Sequence, residues 1–261
     1  MNNQKQEFEK KKYETDYKQV MEKIRNILIF GIRSIIKIQS WFRGCIFRLK
    51  RLPLILYKIQ KYLEKIPIEF SNISMDGRVN SIMDETYIIE RLTIAFGTRI
   101  KSPSIRMWYD ILVFDHHFGW LPVNIKTSTT TSSDNTGNLA MCVYAYTDQN
   151  LDLSKTYRNG SMSSLLMEKL RHQKYNNISK KDYYFIVMNK NKPCDIIINS
   201  VKGLGILTPN MNNLPFQVKW SKNREFKYEK IHGRVQLFID CIKKPKPSWK
   251  EAFLIDMRNL S

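Results

Sequence analysis

From Ile24 the apolar residues Ile24, Leu28, Ile35, Ile38, Phe42, Cys45, Leu49 and Leu52 recur at spacings of three, four or seven. That spacing draws one stripe down a helix and leaves Arg33, Lys37, Arg43, Arg48 and Lys50 largely off it. Pro53 ends this helix or opens the next, and a second amphipathic stretch runs from Leu54 to Lys65, closed by Pro67. Asp76 caps a predicted helix over GRVNSIMDETYIIERLTIAF, with Ile82, Ile89 and Leu92 on one face. Glu85 lies one turn from both Ile82 and Ile89, so a carboxylate falls on or beside the buried face, where it needs a reason to be.

After this helix the apolar pattern is that of strands. RMWYDILVF is a β-branched and aromatic strand carrying Asp110, HHFGW a polar turn, and LPVNIKTS a second strand carrying Asn124 and Lys126. Residues 127–138 are almost purely hydroxyl and amide. The segments 182–190, 194–201 and 215–220 read as further strands, and 232–242 and 248–258 as closing helices. The predicted fold is α/β, a central mixed β-sheet flanked by helices over residues 66–261, preceded by a basic helical arm over residues 1–65. His116 and His117 are adjacent and would face opposite sides of a strand, with no third ligand at metal spacing, so they read as turn residues.

Asp110, then fourteen residues on Asn124, then one apolar residue and Lys126, resembles the PD-(D/E)xK nuclease signature. The closest likeness is to type II restriction endonucleases, including a ScaI-like group found also in large DNA viruses. In that family the Asp ends one strand of a hairpin, and the second acid and the Lys alternate along the next, so both point to one face. The resemblance implies a restriction-endonuclease-like domain that hydrolyses phosphodiester bonds in double-stranded DNA with Mg²⁺ or Mn²⁺, as a homodimer. It assigns metal binding to Asp110, Asn124 and Glu85, and orientation or activation of the attacking water to Lys126; Glu90 is the weaker candidate for the helical acid. The chain departs from the signature at two positions. Tyr109 stands where the family has Pro, and Asn124 replaces the second acid, so an anionic ligand becomes a neutral amide oxygen. Thr127, Ser128 and Asn135 in the first polar loop, and Lys202 in the loop 202–214, are the candidates for DNA contact. No GxSxG, GxxxxGK[ST] or HExxH motif is present to support a competing chemistry.

Charge sharpens this picture. Of 43 basic and 24 acidic residues, segment 1–65 carries 16 and 6, segment 66–150 carries 6 and 9, and segment 151–261 carries 21 and 9. Basic flanks attract a polyanion, and an acidic centre between them can hold a divalent cation against it. Hydrophobic content of 43% supports a folded core. No uncharged apolar run approaches the ~18 residues of a spanning helix, so no membrane partner is expected. The charged N-terminus lacks an apolar leader, and Cys45, Cys142, Cys194 and Cys241 form no CxxC pair. The expectation is an intracellular, non-secreted protein in a reducing compartment.

Residues 38–48, IQSWFRGCIFR, also resemble the IQ motif through Ile38, Gln39, Arg43, Gly44 and Arg48. In that family the helix is gripped by calmodulin or a related EF-hand protein, whose acidic rims meet the Arg residues. The same basic amphipathic pattern also suits a helix packed on its own core, or an arm facing DNA or a membrane. A non-catalytic interaction protein, with a vestigial nuclease fold and this helix as its recruiting element, is the alternative reading.

Overall fold

The stripe that opens the chain is a helix over residues 18–37 (α1), along which Ile24, Ile27, Leu28, Phe30 and Ile35 are exposed. α1 belongs to Met1–Lys50, the first of two units into which the chain divides; Arg51–Ser261 is the second. The computed structural model describes residues 18–37, 52–66, 68–71, 77–103, 107–136, 138–178, 180–210, 215–227 and 229–243. The IQ-like residues Ile38, Gln39, Arg43, Gly44 and Arg48, and the helix expected over 248–258, lie outside these.

In the second unit Pro53 precedes α2 (Leu54–Leu63), where its missing N–H costs nothing. Ile55, Leu56, Ile59 and Leu63 form the buried stripe of α2, and the Ile55 N–H donates to Asp115 Oδ2 at 3.2 Å, satisfying one of the orphan donors of the first turn. This helix, read from sequence as part of the arm ending at residue 65, therefore packs within the core of the second unit. α3 (Gly77–Phe96) follows, then β1 (Ile100–Lys101), β2 (Ile111–Asp115), β3 (Gly119–Ser128) and β4 (Ser133–Asn135). The β2–β3 turn closes because Asp115 Oδ1 accepts from the N–H groups of His117 and Phe118, and Gly119 takes a φ of +77°, which a side chain would strain. His116 and His117 are exposed in that turn.

α4 (Leu139–Tyr146) and α5 (Asn159–Arg171) come next, then β5 (Tyr184–Asn189), β6 (Lys192–Ser200), β7 (Gln217–Lys219) and α6 (Ile231–Ile242). The five-stranded sheet has the order β1-β2-β3-β5-β6. Neighbours are antiparallel except β3 and β5, which run parallel with Asn124 opposite Phe185 and Lys126 opposite Val187. A parallel pair needs a long crossover, and here it carries α4 and α5, elements that the sequence pattern had not marked. α4 is apolar on every side and capped by Asn138, whose Oδ1 accepts from the Met141 N–H at 3.2 Å.

Strand β5 is buried on both faces, as a central strand must be. Tyr184, Ile186 and Met188 join α2 and α3 in one core, while Phe185 and Val187 join α4, α5, α6 and Trp220 in the other. Helices thus cover both faces of a mixed sheet, in the α/β architecture expected. β4 and β7 form a separate antiparallel ribbon. Among the described residues no helix is long and apolar enough to cross a membrane.

Candidate functional site

The β2–β3 register explains the fourteen-residue spacing. Ile111 pairs with Val123, so Asp110 and Asn124 stand one step beyond, opposite one another. The Asp110 N–H donates to Val123 O at 3.0 Å. Its carboxylate Oδ2 accepts from Asn124 Nδ2 at 2.6 Å and from the Ile125 N–H at 2.7 Å. These bonds orient the Asn124 amide, since only its nitrogen can face a carboxylate oxygen. Asn124 Oδ1 is left buried with no hydrogen-bond partner among the described residues, as is Thr127 Oγ1. Along β3, Val123 and Ile125 are buried while Asn124 and Lys126 are half-buried, the alternation that puts amide and ammonium on one face.

α3 supplies the second carboxylate. Its buried face runs through Asn80, Asp84, Ile88 and Leu92, four residues apart. Ile82, expected on that face, is instead exposed, because the inward stripe passes through Ile88. Glu85 flanks the stripe and is half-buried, whereas Glu90 is exposed. Burial pushes the pKa of Glu85 up to about 7; Lys126 opposes this, Asp110 adds to it, and the Thr127 N–H and Lys190 oppose it further. Burial likewise raises Asp110 to about 6 against the Ile125 N–H, Lys126 and Asn124. Glu85, Asp110, Asn124 and Lys126 are therefore one electrostatically coupled group.

Lys190, which the sequence pattern did not single out, joins them from the β5–β6 turn. Its ammonium donates to Ser81 Oγ at 2.9 Å, one helical turn before Glu85. Sequence carried no signal for it, because its position depends on β5 lying beside β3.

The donor set suits a hard divalent cation. Glu85 and Asp110 offer carboxylates, and the orphaned Asn124 Oδ1 offers a neutral oxygen of the kind that coordinates Mg²⁺ or Mn²⁺. No group of three or more His, Cys, Asp or Glu gathers as metal ligands among the described residues. A cation here would rest on two acids and an amide.

The expected DNA contacts divide. Thr127 stands next to Lys126, and its backbone N–H acts electrostatically on the Glu85 carboxylate, while Asn135 is exposed on the β4–β7 ribbon, where its Oδ1 accepts from Asn210 and Gln217. Ser128 is buried, its Oγ accepting from the Thr130 N–H at 3.0 Å. Lys202 is buried as well, donating to Ile178 O at 2.9 Å beside the Asp182 carboxylate, which removes it from the accessible surface. Comparison with family models, with curated proteins and with solved structures finds no match to this chain.

Proposed function

We propose that the protein is a divalent-metal-dependent endodeoxyribonuclease that hydrolyses double-stranded DNA, in the manner of the type II restriction enzymes its hairpin resembles. The observation that carries this reading is the electrostatic coupling of the helical Glu85 to Asp110 and Lys126, with Asn124, in place of the second acid of the D–x(n)–(D/E)–x–K pattern, hydrogen-bonded to Asp110. Carboxylates whose pKa values are raised by burial, with a lysine acting on both, are a recognised mark of a working site.

In this reading Glu85, Asp110 and Asn124 Oδ1 hold Mg²⁺ or Mn²⁺, which when bound supplies Lewis acidity to the phosphodiester. Lys126 faces the scissile phosphate, where its ammonium offsets charge growing on the phosphorane-like transition state and orients the attacking water. The water oxygen bonds to phosphorus and gives up a proton, the bond to the 3′ oxygen breaks, and that oxygen takes up a proton, so that the net proton count is unchanged. Two copies acting as a homodimer would cut both strands of a palindromic site.

One observation favours the non-catalytic alternative: the 2.6 Å bond from Asn124 satisfies Asp110 without any cation. Conversion of supercoiled plasmid to nicked or linear DNA, with Mg²⁺, with Mn²⁺ and with EDTA, separates the two. Cutting that EDTA abolishes supports the nuclease; intact plasmid under all three conditions supports the interaction protein.

A further inference from the structure

The turn between β5 and β6 brings a second lysine to the same rim. The Lys190 N–H donates to Ser128 O at 2.8 Å, tying the turn to the end of β3, two residues beyond Lys126. On its other side Asn189 Oδ1 accepts from the Asn191 N–H at 3.0 Å, and Asn189 Nδ2 donates to Asp195, which is itself paired with Arg224. The backbone is thus fixed, and the ammonium extends from it to Ser81 on α3.

Ser81 Oγ is a neutral acceptor, and among the described residues neither Lys126 nor Lys190 is in an ion pair. A half-buried ammonium has surrendered part of its hydration, and a single hydroxyl bond replaces little of it. Two such cations, one on β3 and one in the β5–β6 turn, both acting on the Glu85 carboxylate, leave positive charge for an anion from outside to meet. A nucleic-acid strand offers a row of them, and a Lys binds phosphate as a compact point charge.

We propose that Lys190 binds a backbone phosphate of the DNA next to the scissile one faced by Lys126, exchanging Ser81 for a phosphate oxygen as the duplex docks. This rests on the nuclease reading of the site but concerns binding, so it is measured without hydrolysis. The test is the affinity of the full chain for duplex DNA in EDTA over a salt series, for wild type, Lys190→Gln and Lys190→Arg. Loss of one phosphate contact should flatten the slope of log affinity against log salt by about 0.9. Lys190→Gln should show that loss and raise KM for cleavage more than it lowers kcat, and Lys190→Arg should restore the slope. Wild-type slope in Lys190→Gln, with wild type binding DNA, overturns the proposal and leaves the nuclease reading standing. Weakened binding that comes with a fallen Tm and no rescue by Arg also overturns it, making Lys190 a strut between the turn and α3. Wild type that binds no DNA at any salt overturns both.

Discussion

Two carboxylates with raised pKa values give the site a defined pH signature. Glu85 moves from an ordinary 4.5 to about 7, and Asp110 from 3.8 to about 6, both through burial. The folded, metal-free protein therefore holds these protons more tightly than the unfolded chain. Their stabilising contribution is complete below about pH 4 and is lost as pH rises through 6 and 7. Tm of the EDTA-treated protein should fall over that window, and Glu85→Gln should remove the upper part of the fall. A cation needs both groups ionised, so Mg²⁺ affinity by calorimetry should climb across the same window. Asn124→Asp should tighten that affinity, since an anionic ligand adds Coulomb energy at contact distance, partly offset by repulsion from Asp110 in the empty site. Unchanged affinity would mean that residue 124 does not face the cation. At this scale Asp110, Asn124 and Lys126 were legible in the sequence because a hairpin with a short tip puts residues fourteen apart opposite one another. Lys190 and Ser81 were not, because nothing local links a turn after β5 to the first turns of α3. Nor was the burial of Lys202 visible, since only the fold brings it to Ile178 O and Asp182.

The elements differ in how openly they announced themselves. β3, β5 and β6 are runs of β-branched and aromatic residues bounded by turn residues and form within two residues of where that pattern falls, whereas β2 begins only at Ile111, so Asp110, expected within the strand, stands just before it. α3 carries two overlapping apolar stripes, one through Ile82 and Ile89 and one through Ile88 and Leu92. Packing against the sheet selects the second and still leaves Glu85 at its margin. α4 gave no amphipathic period because it is buried nearly all round, so the crossover was hidden although a parallel β3–β5 pair demands one. α2 is the element whose allegiance matters most. Leu56 and Ile59 are fully buried between it and the sheet, and Leu56→Ala should cost roughly 2–5 kcal/mol in a denaturant melt. Deletion of residues 1–50 should accordingly leave the second unit folded, whereas deletion of residues 1–65 should unfold it. Equal stability of the two truncations would place α2 with the arm after all.

Over the whole molecule, the charge distribution bears on the proposed nuclease reading. An acidic middle segment supplies both carboxylates, and the basic segment that follows it supplies Lys190. The first unit adds α1 and further positive charge, suited to a polyanion at longer range. What ties these features into a single account is the claim that Asp110 and Lys126 work together on a phosphodiester. The initial rate of plasmid cleavage with Mg²⁺ by Asp110→Ala and by Lys126→Ala, each shown to be folded by its thermal melt, tests it most directly. Loss of cleavage by at least about a hundredfold in both variants is the predicted result, on the scale of removing a group that stabilises transition-state charge. Wild-type cleavage by either folded variant would contradict the account and put the chemistry elsewhere in the chain.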